Sequence, residues 1–210
     1  MMARWGTSRT EAFSDGVLAI AITLLVLEIS VPSTAFDDLW QGIADEWPSY
    51  LAYATSFLTI GAIWLGHHGI FRRLRWIDAR VMRVNLLLLM AVAFLPFPTT
   101  LMAEAIHDSD AERAATIFYG ASLLVVSGLL ALLWRVASGD RALLEPDVTE
   151  ADVRAVTRAT TPSLGFYGAV TVVAIVAPVV AAVGFLVVAV LGVARAMGDP
   201  PSATSIDEAA

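Results

Sequence analysis

Apolar residues run in long blocks along this chain, with polar residues gathered in short clusters between them. A membrane-crossing helix needs roughly 20 apolar residues, at about 1.5 Å rise each, to cross hydrocarbon about 30 Å thick. That rule predicts an all-α membrane protein with six transmembrane helices, at about 13–31, 48–71, 81–103, 114–136, 157–177 and 179–196. From Leu164 to Val193 the chain is one apolar run, too long for one upright helix and short for two. Pro178 removes a backbone donor near its middle, which predicts a tight hairpin between two short helices rather than a single kinked one.

Composition agrees with the pattern. The 210 residues are 58% hydrophobic and 16% charged, whereas soluble domains carry roughly a quarter charged residues. Cysteine is absent, which excludes disulfides, thiolate metal sites and cysteine nucleophiles. Lysine is absent too, so the 13 basic residues are all Arg. Arg4 and Arg9 precede the first span; Arg72, Arg73, Arg75, Arg80 and Arg83 surround the second connection; Arg135, Arg141, Arg154 and Arg158 surround the fourth; Arg195 follows the last. Arg113 alone falls on the other side. Arginine is retained on the cytoplasmic face, so both termini are expected there.

The outward connections have the opposite sign, with Asp37, Asp38, Asp45 and Glu46 in one, Glu104, Asp108, Asp110 and Glu112 in the other, and Glu28 closing the first span. Such a face would raise the local cation concentration, although solubilising loops look the same. The net charge of −7 would argue against a nucleic-acid partner if it were spread evenly, but in a membrane protein what matters is which loops hold each sign, and no nucleic-acid partner is expected. Trp5, Trp40, Trp47, Trp76 and Trp134 fall near span ends, as interfacial anchors do, whereas Trp64 sits inside a span. The first apolar segment lacks a small-residue cleavage site and is expected to be a span, not a removable signal. Residues 198–210 are rich in small, Pro and acidic residues, which predicts a disordered cytoplasmic tail.

One residue breaks the pattern. Asp15 opens the first span, and a carboxylate there is costly unless neighbours satisfy it. On a helical wheel with Ile20 at zero, Leu24, Leu27, Phe13 and Thr23 fall within about 60° of it, while Asp15 lies about 140° away. If the Ile20 stripe faces an axis, Asp15 faces neighbouring helices of its own bundle. An aliphatic stripe on a membrane helix is by itself more often lipid contact or packing than a pore.

Arg9-x-x-x-Phe13-Ser14-Asp15, followed by Ala-Ile-x-x-Thr-Leu-Leu-Val-Leu-Glu, resembles the signature of the endosomal and lysosomal potassium channel family, in its bacterial single-repeat form. Trp64, His67-His68, Asn85 and Pro96-Phe97-Pro98-Thr99 extend the resemblance to about residue 100. It implies a homotetramer of six-helix subunits whose first helices line the pore, with no re-entrant pore loop and no TVGYG filter. The family's hydrophobic constrictions would fall on Ile20, Leu24 and Leu27, with Thr23 as an ion-coordinating hydroxyl and Glu28 at the outer mouth. It further implies a hydrogen-bonded network of Arg9, Phe13, Ser14, Asp15, Trp64, His67 and Asn85 that holds the pore helix in register. The expected permeant ion is K⁺, and no cofactor is expected.

Other chemistry fits poorly. His67 and His68 are adjacent, so they point about 100° apart, and no third ligand stands at metal-binding spacing. Arg72, Arg73 and Arg75 cluster beyond a helix end and do not recur every third position as in a voltage sensor. Ser14, Asp15 and His67 come without a nucleophile elbow or oxyanion-hole pattern, so no enzyme is expected. The rivals are a secondary transporter, which would show interrupted helices around a polar midplane site, and a non-conducting scaffold.

Overall fold

The first apolar run folds as α1 (Ser8–Leu24), continued by one 3-10 turn (Leu25–Glu28) that stops short of Pro32. Helical hydrogen bonding extends into the polar turn before Phe13, which hydropathy alone does not mark. The computed structural model, which describes residues 4–107 and 109–198, continues with a short α2 (Leu39–Asp45), α3 (Trp47–Phe71), α4 (Ala79–Phe94) and α5 (Pro96–Glu104). It ends with α6 (Ser109–Ser138), α7 (Glu150–Val173) and α8 (Pro178–Gly198). Among the described residues no strand forms. The expected tail lies, apart from Gly198, outside the described residues, as does Asp108.

Among the described residues, four helical stretches are long and apolar enough to cross a membrane: Ser8–Glu28, Ala79–Glu104, Ala111–Ser138 and Pro178–Met197. On that measure the expected six spans become four, and the side chains of the other two explain why. α3 carries Thr55, Ser56, Thr59, His67 and His68, while α7 opens through Glu150, Asp152, Arg154 and Arg158. The third expected span is two helices that meet at Leu95, because Pro96 and Pro98 lack the donors a continuous ladder needs. α7 and α8 are separate helices joined by a turn over residues 174–177. Pro178 opens α8, where a missing N–H is harmless.

α3 lies centrally, packed against α1, α5, α6 and α8, while α6 packs against α4 and α7. α1 turns Ser14, Leu18, Ala21 and Leu25 inward, each at most 1% exposed, at the spacing of one helical face. Small residues set how near the helices come. A Cβ added at Gly120 of α6 would collide with Thr171 Oγ1 of α7 and lie 2.8 Å from Phe185 Cζ of α8. Such close approach is how membrane helices gain packing where water drives nothing.

One end of the bundle is tied together by backbone. Trp5 and Ile77 exchange hydrogen bonds at 2.9 Å in both directions, Arg75 N donates to Leu143 O at 2.9 Å and Glu145 N to Arg73 O at 3.0 Å. Arg4 and Arg80 both approach Asp140, at 4.0 and 3.8 Å. The Arg-rich connections and the segment before α1 therefore share one end. Trp134, expected at an interface, is instead core, 2% exposed, with Nε1 donating to Thr157 Oγ1 at 3.0 Å.

Candidate functional site

Two features meet on α1. Its outer face carries Phe13, Ile20, Leu24 and Leu27, exposed by 57%, 61%, 40% and 72%. Thr23 is exposed on the same face, and its Oγ1 donates to Ile20 O at 2.9 Å. The hydroxyl proton is thus spent on the helix, and the oxygen keeps lone pairs for an outside partner. Phe13 belongs to this face and not to the polar cluster behind it.

The inner face carries the polar groups. Asp15 Oδ1 accepts from Trp64 Nε1 at 2.9 Å. Ser14 Oγ donates to Thr10 O at 2.8 Å, so towards Asn85 it can only accept, and Asn85 Nδ2 donates to it at 3.0 Å. That places Asn85 Oδ1 opposite His67 Nε2 at 2.8 Å, and the ring must donate there. His67 is fully buried and stacked on Phe71, with its Nδ1 unpartnered among the described residues. The chain Thr10–Ser14–Asn85–His67 consequently has one direction of donation, joining α1, α4 and α3.

Arg9 departs from expectation. It is exposed, its side chain has no hydrogen bond or ion pair among the described residues, and it lines an open groove with Phe13, Asn85 and Leu86. The cause is helical geometry: Arg9 and Asp15 are six positions apart, which places them about 120° from each other around the helix and about 9 Å along its axis. Glu11, one turn before Asp15, is the acid that joins in, with His68 Nδ1 at 3.0 Å from its Oε1. Trp64 and His68 are themselves one turn apart and stacked, at 6.0 Å between rings. Two acids at i, i+4 on α1 thus face two ring donors at i, i+4 on α3, a matched spacing that was visible in the sequence and overlooked.

A second buried polar group was also missed. Thr99 Oγ1 donates to Leu95 O, so it accepts from Ser56 Oγ at 2.7 Å, and Ser56 in turn accepts from Tyr119 Oη at 2.9 Å. These hydroxyls bind α3 to α5 and α6. At the end of the bundle opposite the arginines, Glu28 is exposed and lines a small cavity with Ser49, Thr100 and Glu104. No cluster of three or more His, Cys, Asp or Glu suited to a metal occurs among the described residues.

Comparison with known proteins places these features. The family model described as endosomal/lysosomal potassium channel TMEM175 matches residues 9–96, which hold α1, α3, α4 and the polar network. A potassium channel of Streptomyces collinus is 40% identical over 150 residues, 71% of this chain and 73% of that one. A potassium channel of Chamaesiphon minutus is 43% identical over 155 residues, covering 72% and 76%. The crystal structure of a lysosomal potassium-selective channel TMEM175 homolog from Chamaesiphon minutus superposes with a TM-score of 0.81 at 36% identity, covering 90% of this chain and 97% of that one.

Proposed function

This chain belongs to the endosomal/lysosomal potassium channel TMEM175 family, and from that premise we propose that it is a passive, potassium-preferring channel of a bacterial cell membrane, a homotetramer whose axis is lined by α1. The observation that carries the reading is the exposed face of Ile20, Leu24 and Leu27 on a helix whose opposite face is anchored by Ser14 and Asp15. A helix serving only as lipid contact has no need of a fixed rotation. Four copies would form rings of aliphatic side chains spread over about 10 Å, which exclude water and require partial dehydration of a passing ion.

Thr23 would offer its free lone pairs to that ion, and Glu28 with Glu104 would concentrate cations at the outer mouth. α3 and α7 would complete six crossings per subunit, since the Ser, Thr and His side chains of α3 are partnered inside the bundle. The Arg-rich end, with both termini, would face the cytoplasm. No cofactor takes part; K⁺ is cargo.

The test is potassium flux from purified protein in liposomes, comparing wild type with Ile20→Ala and Leu24→Ala. Conduction that rises or loses selectivity in either variant is the expected result. Saturable flux indifferent to both changes would indicate a transporter, and absence of monovalent-cation flux a scaffold.

A further inference from the structure

Across α3 from the polar network lies a cleft of about 120 Å³ between α3, α6, α7 and α8. Its α3 residues Ala62 and Gly66 sit about 160° from Trp64 on the helical wheel, so the cleft opens on the side of the bundle away from α1. Small side chains hollow it out: Ala62 and Gly66 face Ala159 and Gly192. The two hydroxyls that α7 places there through Thr160 and Ser163 offer little to a guest, because Thr160 Oγ1 donates to Val156 O at 3.0 Å and Ser163 Oγ to Thr160 O at 2.6 Å. Their protons stay within α7.

Among the described residues, the one charged side chain on the cleft wall is Arg195, in the last turn of α8. It is exposed, its guanidinium stands 5.3 Å from the Phe166 ring centroid, and no carboxylate pairs with it among the described residues. An apolar slot inside a membrane bundle, ending in a cation held over an aromatic ring at the Arg-rich end, matches one ligand in shape and charge. We propose that this cleft holds one acyl chain of an anionic glycerophospholipid, whose phosphate pairs with Arg195. Phe166 fixes the guanidinium at the mouth through its ring face, and an apolar tail fills space that would otherwise lack packing partners. The proposal requires a bilayer around α7 and α8, and is independent of whether α1 conducts.

Native mass spectrometry of the detergent-purified full chain tests it without reading flux. Phosphatidylglycerol and phosphatidylcholine are titrated into wild type, Arg195→Gln and Ala159→Leu, both changes being at exposed positions and checked by elution volume. Phosphatidylglycerol should bind wild type about five-fold more tightly than phosphatidylcholine, the preference one basic residue gives at an anionic surface. Arg195→Gln should abolish that preference, and Ala159→Leu should weaken both lipids by obstructing the slot. Equal binding of the two lipids by wild type, or a preference that survives in Arg195→Gln, would overturn the proposal. So would complete displacement of phosphatidylglycerol by inorganic phosphate, which would leave a bare anion site without a tail.

Discussion

Trp64 donates its indole N–H to Asp15 at 2.9 Å, joining α3 to α1 at the point where the apolar stretch of α1 begins. A carboxylate at that depth is costly without such a donor, and the same bond ties α1 to α3 with the Ile20 face turned outward. Trp64→Phe keeps the ring and deletes the donor. Hydrogen bonds to charged groups contribute about 1.5–3 kcal/mol, and Asp15 is only half-buried, so a loss near the lower figure is expected. Asp15→Asn retains an acceptor and should lose less. Thermal unfolding in detergent ranks the two, and equal losses would show that the charge, not the donor, governs stability.

Asn85 occupies the middle of a chain in which every donor has one available acceptor. Asn85→Leu has similar bulk but strands the Ser14 lone pair and the His67 N–H in a fully buried site. Each stranded group costs about 1–3 kcal/mol, so this change should destabilise more than Trp64→Phe. Asn85→Asp should be milder, because it still accepts from His67. Melting temperatures of the three variants check the order.

How much of this was legible depended on whether one helix or two decided the answer. That Ile20, Leu24 and Leu27 share one face, with Asp15 well away from it, follows from the 3.6-residue period of α1 alone. Which donor meets Asp15 depends on how α1 and α3 approach, and there the nearer residue in sequence, Arg9, was the wrong choice. Average hydropathy likewise cannot tell the partnered polar groups of α3 from solvated ones, so six expected spans and four apolar ones differ. The break at Leu95 was signalled by Pro96 and Pro98, yet their number fits both a kink and a stop.

Gly120 is where α6, α7 and α8 come closest. Gly120→Ala places a methyl group against Thr171 Oγ1 and within 2.8 Å of Phe185 Cζ. Phe185 is fully buried and cannot yield, so overpacking should cost about 1–3 kcal/mol. Adding Thr171→Ala removes the nearer obstacle and should recover part of the loss. A double mutant no more stable than Gly120→Ala alone would place the strain on Phe185.

Asp78 carries the expected pH dependence. It is 2% exposed and caps α4, accepting from the Arg80 and Val81 amides at 2.9 Å each and from Arg80 Nε at 2.8 Å. Burial pushes its carboxyl up, but the Val81 amide, the Arg80 side chain and the Arg80 amide together hold it below the usual carboxylate range. A carboxyl depressed in the folded state contributes stability that is fully present above its unfolded value, about 3.9, and is lost as pH falls through the lower folded value. Asp78→Asn keeps an N-cap side chain and removes the titration. The melting temperature of wild type should therefore exceed that of Asp78→Asn at about pH 7 and still at about pH 5, and the gap should close only below about pH 4. A gap that closes above pH 5 would show that another group, not Asp78, controls the acid limb. Arg80→Gln should narrow the gap at neutral pH by removing the ion pair while leaving both backbone donors in place.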